Sequence, residues 1–210
     1  MKNDLILLGG GGHCRSVIDV VESAGFNIMG ILDRPEMVGQ RVLNYSIIGT
    51  DDDISLYVDK AMFLITVGQI KSNATRIRLA NLVNESGGRF ATVIANDAYV
   101  SKYAEIGEGT VVMHKAVVNA NTKIGKHCII NTMTDIEHDA SIGDFCHIST
   151  ASVVNGEVEV GNNVFIGSGT VVHNGKRITD DIVVSAGSVV SKNLDKSGVY
   201  AGNPVKFYEV

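Results

Sequence analysis

The chain has few cysteines, no long apolar run and no concentrated positive charge, and each absence excludes a class of protein. Its three cysteines contain no Cys-x-x-Cys pair, which argues against a disulfide framework and against a cysteine-based zinc site. No apolar segment approaches the length that a membrane-spanning helix needs. The net charge is −5 and no basic run is present, so we expect neither nucleic acid as a partner nor membrane insertion.

The first apolar run, residues 5–8, is short and leads directly into glycines, which differs from a secretory signal peptide. Together with the cysteine pattern, this predicts a protein of the reducing cytoplasm.

A repeat of six residues dominates the chain from Ile94 to about Val190. A branched apolar residue occupies every sixth position, and a small residue usually follows four positions later. A period of six is typical of parallel β-helices, in which each coil stacks on the next and buries one continuous core. Three sixes make one triangular coil, so residues eighteen apart are predicted to lie above one another. Glycine often follows the branched residue, and we expect it there because it tolerates the backbone angles of a tight corner.

Residues 1–90 have a different pattern, in which predicted strands alternate with predicted helices. Strands are expected at residues 5–8, 26–32 and 61–67, with helices after the glycines at 9–12 and over 73–85. Asp51 and Asp52 are expected to cap a further short helix. This alternation predicts a small parallel α/β domain, in which ligands bind outside the carboxyl ends of the strands.

The glycine loop after the first strand is a candidate anion site. Gly9 and Gly11 fit the dinucleotide pattern Gly-x-Gly-x-x-Gly, but Cys14 stands where the third glycine should be. Asp33 follows the second strand, where a ribose-binding acid would lie. Backbone N–H groups at a helix N-terminus bind phosphate well, so phosphate or nucleotide binding is predicted and a redox dinucleotide is disfavoured. A tight turn without a ligand is the alternative interpretation.

Three polar residues, Glu137, His138 and Asp139, interrupt the repeat. A histidine flanked by carboxylates is a candidate general base, because a carboxylate orients the ring and raises its basicity. Gly156 should lie over His138, leave room above it and offer its N–H to a developing oxyanion. His147 follows nine residues after His138, and no histidine pair has the close spacing of a β-helix zinc site, so no metal is expected. An exposed turn histidine without a function is the alternative.

Four segments together resemble the sugar O- and N-acetyltransferases of the NeuD/PglD type. They are the Gly-Gly-Gly-Gly-His loop at 9–13, the run Asn131-Thr-Met-Thr-Asp-Ile-Glu-His138-Asp139, residues 143–149, and Ala-Gly-Asn-Pro at 201–204. The resemblance spans essentially the whole chain. It implies an α/β N-terminal domain with a short parallel sheet, followed by a left-handed parallel β-helix of hexapeptide repeats. It also implies acetyl-CoA as co-substrate, no metal, and a homotrimer with active sites in the clefts between subunits.

This resemblance implies three segments and a set of residue roles. A sugar-nucleotide-binding domain is expected at 1–90, the β-helix acyltransferase domain at 91–194, and a C-terminal capping tail at 195–210. His138 matches the base, Asp139 matches an acid that is usually glutamate, and Arg34 stands where some relatives have an acid. Substrate binding is expected at Gly11, Gly12, His13, Asp33, Arg34, Gly68 and Asn131. Acetyl-CoA binding is expected at His147, Gly156, Ser168 and Ala186.

The predicted function is acetyl transfer from acetyl-CoA to the amino group of a nucleotide-linked 4-amino-4,6-dideoxy sugar, with His138 as general base, for surface-glycan biosynthesis. One alternative is an O-acetyltransferase of sialic acid or a related sugar. The other is a non-catalytic β-helix that serves as a scaffold or a sugar-nucleotide sensor. UDP, GDP and dTDP remain open as the nucleotide.

Overall fold

The computed structural model describes residues 3–70 and 72–208. The chain divides into two compact units, Met1–Asn96 and Asp97–Val210. The first unit contains strands β1 to β6 and two α-helices, with short 3-10 helices at Pro35–Met37 and Asp51–Leu56. Its elements are β1 (Asp4–Leu8), α1 (Gly12–Ser23), β2 (Asn27–Leu32), β3 (Arg41–Val42), β4 (Tyr45–Gly49), β5 (Met62–Ile65), α2 (Ala74–Glu85) and β6 (Val93–Ile94).

The core of the first unit is a five-stranded sheet in the order β3-β4-β2-β1-β5. Strand β1 lies parallel to both β2 and β5, and its four apolar residues at 5–8 are fully buried. Such continuous burial is typical of a parallel sheet that is covered on both faces. The three predicted strands and the two helices are confirmed, with bounds shifted by a few residues at most.

Two local features of this unit differ from the prediction. The hairpin β3–β4 was missed, because its turn uses Leu43 at φ 52° rather than the asparagine–glycine pair that usually signals such a turn. The assignment of Asp51 and Asp52 as helix caps was wrong. Thr50 is the cap, and its backbone N–H donates to the Asp53 carboxylate at 2.8 Å in a capping box.

The second unit is a parallel β-helix whose coils present three faces. In chain order the coil passes from face 1 to face 2 to face 3 and back to face 1. Face 1 contains β7 (Tyr99–Val100), β10 (Val117–Val118), β13 (Asp135–Ile136), β16 (Val153–Val154), β19 (Val171–Val172) and β22 (Val189–Val190). Face 2 contains β8 (Glu105–Ile106), β11 (Lys123–Ile124), β14 (Ser141–Ile142), β17 (Glu159–Val160) and β20 (Arg177–Ile178). Face 3 contains β9 (Val111–Val112), β12 (Ile129–Ile130), β15 (His147–Ile148), β18 (Phe165–Ile166), β21 (Ile182–Val184), β23 (Gly198–Ala201) and β24 (Lys206–Tyr208).

The predicted stacking of residues eighteen apart is confirmed along the coils. Val117 pairs with Asp135, and Asp135 pairs with Val153, in parallel register. The branched residues point into the core, where Val118, Ile136 and Val154 are fully buried.

The small residues of the repeat also hydrogen-bond the corners. Thr110 Oγ1 donates to the carbonyl of Gly125 at 2.8 Å, and Ser152 Oγ donates to the carbonyl of Gly167 at 2.9 Å. The Cys128 thiol makes the corresponding contact with a carbonyl fifteen residues ahead. A small polar side chain at this position therefore gives a corner carbonyl a hydrogen-bond partner.

The explanation expected for the glycines that follow the branched residues was wrong. The left-handed backbone angle occurs three positions after the branched residue, at residues such as Lys115, Asn121 and Asp139, and not directly after it. Glycine directly after the branched residue is needed for close approach between coils instead. A Cβ atom at Gly143 would lie 2.7 Å from the backbone carbon of Gly161. The same arrangement holds at Gly107, Gly125, Gly161 and Gly167.

The C-terminal segment continues face 3. Strand β23 pairs in parallel with β21, and β24 returns antiparallel to β23 after a turn that contains the cis Asn203–Pro204 bond. Tyr200 packs edge-on against Phe207 with ring centroids 5.2 Å apart.

A glycine substitution separates close approach from backbone angle. We expect Gly143→Ala to destabilise the protein by about 3 kcal/mol, because its methyl group would press on the backbone of the next coil. Gly169→Ala should cost only about 1 kcal/mol, because Gly169 has φ 66° and open space around it. Ala151, one coil below, already adopts φ 55°. Urea unfolding followed by circular dichroism measures both variants, and an equal or reversed order would contradict this explanation.

Candidate functional site

A cavity of about 380 Å³ lies at the carboxyl ends of β1, β2 and β5 in the first unit. This is the edge of a parallel sheet at which ligands ordinarily bind. The structure brings together here six of the residues predicted to bind substrate. They are Gly11, Gly12, His13, Asp33, Arg34 and Gly68.

Asp33 holds the glycine loop in place at this cavity. Its Oδ2 atom accepts a hydrogen bond from the Gly10 N–H at 2.6 Å, and its Oδ1 atom accepts one from the Arg34 N–H at 2.7 Å. The side chain of Arg34 lies mostly in solvent and pairs with Glu36 at 3.2 Å. Gly11 and Gly12 begin helix α1 and have no heavy atom near the position of a Cβ, so their backbone is open to a ligand.

Sequence reasoning missed three residues that line the cavity, namely Asp51, Thr75 and Arg78. Arg78 on α2 pairs with Asp51 at 2.6 Å, and Thr75 lies one turn before Arg78 on the same helix. These residues belong to no recognisable motif, and only the packing of α2 against the sheet brings Arg78 next to Asp51, 27 positions earlier.

Cys14 occupies the third glycine position of the dinucleotide pattern, and it is fully buried. Burial raises the pKa of its thiol to about 11, although a hydrogen bond with Thr66 opposes the rise. The residue is therefore a neutral thiol at physiological pH, which excludes a thiolate nucleophile.

His138 lies at the corner between face 1 and face 2, directly after β13. Its Nδ1 atom is 2.8 Å from Asp139 Oδ2, and the His138 side chain is 57% exposed. Asp139 adopts φ 61°, and its Oδ1 atom accepts a hydrogen bond from Asn121 Nδ2 at 2.6 Å. With Asp139 ionised, the neutral imidazole carries its proton on Nδ1 and presents the lone pair of Nε2.

Carboxylates raise the pKa of His138 above its ordinary value. The hydrogen bond with Asp139 is the largest cause, burial opposes it, and the charges of Asp139, Glu137 and Glu157 add to the rise. The pKa of Asp139 is lowered, first by the hydrogen bond from Asn121 and then by His138. Asp139 therefore stays ionised throughout the range in which His138 titrates.

Gly156 lies directly above the imidazole, as the stacking rule predicts. A Cβ atom at Gly156 would be 2.9 Å from His138 Cε1 and 3.0 Å from Nε2. Any side chain here would therefore cover the nitrogen that carries the lone pair.

The other predicted residues of the β-helix lie elsewhere on the coil. Asn131 Nδ2 is 3.0 Å from Nε2 of the largely buried His147, on face 3. Ser168 follows β18, and its hydroxyl lies 2.9 Å from that of Ser149. The Gly187 N–H donates to the carbonyl of Ser168 at 2.8 Å, which places Ala186 in the coil above Ser168. Ser168 and Ala186 lie at the corner between face 3 and face 1, so one chain does not bring them to His138.

Within residues 3–70 and 72–208, no group of three or more histidine, cysteine or acidic side chains is arranged to hold a metal ion. In the same residues, no helix combines the length and the apolar character required to cross a bilayer.

Comparison with known proteins finds one matching family model and several similar solved structures. The family model for the PglD N-terminal domain matches residues 4–83. PerB from Caulobacter crescentus, solved with CoA and GDP-perosamine, is 30% identical over 100% of this chain and 99% of its own, with a TM-score of 0.91. A variant perosamine N-acetyltransferase from the same organism gives 29% identity, coverage of 100% and 99%, and a TM-score of 0.93. The acetyltransferase domain of PglB from Neisseria gonorrhoeae is 28% identical over 98% of this chain and 100% of its own, with a TM-score of 0.91. A comparison with curated protein sequences finds no match.

The fold and the similar solved structures show that the protein is an acetyl-CoA-dependent sugar acetyltransferase. They also confirm the expected fold class, in which a left-handed parallel β-helix follows the α/β domain. The chain belongs to the NeuD/PglD-type family of sugar acetyltransferases.

The electrostatics of His138 lead to a titration experiment. Because the pKa of His138 is raised chiefly by Asp139, its NMR titration should have a midpoint above the ordinary value of about 6.5. The base-competent neutral form then accumulates only as the pH rises through that higher midpoint. Asp139→Asn should lower the midpoint, because it removes the negative charge. A midpoint that does not respond to this change would contradict the assignment of Asp139 as the main cause.

Proposed function

We propose that this enzyme transfers the acetyl group of acetyl-CoA to the amino group of a nucleotide-linked 4-amino-4,6-dideoxy sugar, for surface-glycan biosynthesis. The observation that carries the proposal is the arrangement at one corner of the β-helix. There, Asp139 orients the imidazole of His138 and Gly156 leaves its Nε2 atom uncovered. Solved relatives bind CoA together with GDP-perosamine, a nucleotide-linked amino sugar, which supports the same substrate class here.

The chemistry follows from the free lone pair on Nε2. The substrate nitrogen attacks the thioester carbonyl, a C–N bond forms, and negative charge develops on the carbonyl oxygen. His138 Nε2 takes the proton of the attacking amine, which is worth about a hundred- to ten-thousand-fold in rate. The Gly156 N–H stabilises the oxyanion, a contribution of about a hundred-fold or more. The C–S bond then breaks, and the CoA thiolate takes the proton that His138 carries.

The nucleotide is assigned to the cavity of the first unit. Free backbone at Gly11 and Gly12 lies at the N-terminus of α1, where N–H groups favour the negative charge of a diphosphate. Arg34 adds a guanidinium at the wall of the cavity, suited to a phosphate oxygen. His13, Asp33 and Gly68 complete the substrate-binding residues in this unit. Asn131, which lies beside His147, is assigned to the substrate bound by a neighbouring copy of the chain.

Acetyl-CoA is assigned to His147, Gly156, Ser168 and Ala186, which requires a second copy of the chain. His138 and Gly156 lie at one edge of face 1, and Ser168 and Ala186 lie at the opposite edge. Face 1 presents an outward row of largely apolar residues, while face 2 presents mainly charged ones. The face 1 row is Tyr99, Val117, Asp135, Val153, Val171 and Val189. A homotrimer that buries face 1 would bring the His138 edge of one copy to the Ser168 edge of the next.

Replacing the base tests the proposal directly. His138→Ala should retain the fold and the oligomeric state and lose about a hundred- to ten-thousand-fold in turnover, because it removes the base that takes the proton of the amine. Thiol release from acetyl-CoA with UDP-, GDP- and dTDP-4-amino sugars measures the rate, and light scattering measures the mass. His173→Ala is the matched control, because His173 is also an exposed histidine of the β-helix.

Three results would overturn the proposal. Wild-type turnover of His138→Ala would show that His138 is not the base. Acetylation of a sugar hydroxyl but of no amino sugar would favour the O-acetyltransferase alternative. Absence of transfer to any sugar would favour a scaffold or a sensor.

The nucleotide assignment is tested separately by thermal stability. A nucleotide at a hundred times its Kd should stabilise the protein by about 2.7 kcal/mol, seen as a higher Tm. Arg34→Ala should reduce this stabilisation, since Arg34 lines the cavity, whereas Arg41→Ala should not, since the Arg41 side chain bonds the Asn44 carbonyl outside it. Equal effects of the two variants would contradict the assignment.

A further inference from the structure

The carboxylate that orients His138 depends on a residue in the coil below it. Asn121 Nδ2 donates a hydrogen bond of 2.6 Å to Asp139 Oδ1, while Asp139 Oδ2 faces His138 Nδ1 at 2.8 Å. The two oxygens of one carboxylate thus have separate partners. Asn121 and Asp139 are eighteen residues apart, so their side chains project from adjacent coils at the same corner.

Asp139 needs such a partner because little else fixes its side chain. Its side chain is 45% exposed, and it lies in the turn between β13 and β14 rather than in the packed core. A carboxylate on a short, exposed side chain rotates freely unless hydrogen bonds hold it, and a rotated carboxylate no longer orients the imidazole.

Asn121 is suited to this role by its chemistry and by its backbone. It adopts φ 61°, a left-handed angle that asparagine tolerates better than most residues. Its amide donates a hydrogen bond but carries no charge. It therefore fixes Asp139 without forming an ion pair that would compete with His138 for the carboxylate. The hydrogen bond from Asn121 is also the largest cause of the lowered pKa of Asp139.

We propose that Asn121 is a positioning residue for the acetyl-transfer reaction, acting through Asp139 on the orientation of His138. The inference rests on the proposed role of His138 as the base. The Asn121 amide bonds Asp139, so its effect on His138 passes through the Asp139 carboxylate.

The test is a double-mutant cycle with Asn121→Gly and Asp139→Ala. Glycine removes the amide and accepts the left-handed angle, so the backbone is not strained. We expect Asn121→Gly to lower kcat/KM about 10- to 100-fold, as is typical when a group that supports a catalytic side chain is removed. In the Asp139→Ala background, the same change should have no further effect, because Asn121 then has no carboxylate to hold.

A pH profile distinguishes positioning from structural damage. Glu137 and Glu157, the other carboxylates whose charges act on His138, are unchanged in the variant. Loss of the oriented Asp139 hydrogen bond should lower the pKa of His138, so the acidic limb of kcat/KM moves to lower pH while the plateau falls. The NMR titration of His138 should shift in the same direction. A merely structural defect would lower activity at every pH without moving either midpoint.

The chain provides a matched control. Asn163 Nδ2 donates to Asp181 Oδ1 at 3.1 Å, also across eighteen residues, and Asn163 also has a left-handed backbone at φ 62°. This pair lies at the corner between face 2 and face 3. Asn163→Gly therefore removes the same type of contact away from His138, and it should leave both kcat/KM and the His138 midpoint unchanged.

The outcomes separate this inference from the proposed function. If His138→Ala is inactive but Asn121→Gly has wild-type kcat/KM, or if the losses from Asn121→Gly and Asp139→Ala multiply in the double variant, the inference is wrong and the proposed function stands. If His138→Ala keeps wild-type turnover, the proposed function fails. The His138 midpoint in Asn121→Gly then still decides whether Asn121 acts on the imidazole.

Discussion

The hydrogen bonds between successive coils are the constraint on which the rest of the second unit depends. Glu137 N–H donates to the Val154 carbonyl at 2.9 Å, and equivalent bonds repeat along each face. This ladder fixes the offset between coils at eighteen residues, so the neighbours of any side chain are set by counting along the sequence. An inserted residue that is not looped out at a corner would move every later side chain out of its column. The unbroken spacing of the repeat is thus a requirement of the backbone, and it places Gly156 above His138.

A second constraint acts at the corners, where one residue of each repeat adopts a left-handed backbone. For a residue other than glycine, this conformation costs about 1 kcal/mol or more, which the stacked coils offset by burying branched side chains. Asparagine and aspartate tolerate the angle best, because their short polar side chains bond locally. At the corner next to face 1, Asn121 and Asp139 both adopt it, and their side chains meet. The geometry that closes the coil therefore also aims a carboxylate at His138.

The sequence predicted those features that a short-range pattern determines. The period of six gave the β-helix and its columns, and the polar break at Glu137, His138 and Asp139 located the corner that carries the imidazole. The contact of Asn121 with Asp139 was implicit in the stacking rule. The Arg78–Asp51 pair was not accessible in this way, because it depends on how α2 packs on the sheet. The role of the corner glycines was also missed, since a clash between coils appears only once their separation is known.

The exposure of His138 in a single chain agrees with a site that one chain does not complete. A base that removes a proton from an amine works best where water is excluded, because hydrogen bonds and charges act more strongly at low dielectric. The imidazole instead lies at an open edge of face 1, beside a row of apolar residues that faces outward. A second copy packed on that row would cover His138, and it would bring its own Ser168 edge next to this imidazole. In the homotrimer that we propose, lower exposure to water would strengthen the interaction between His138 and Asp139, so the proposed support from Asn121 would matter more there than in a single chain.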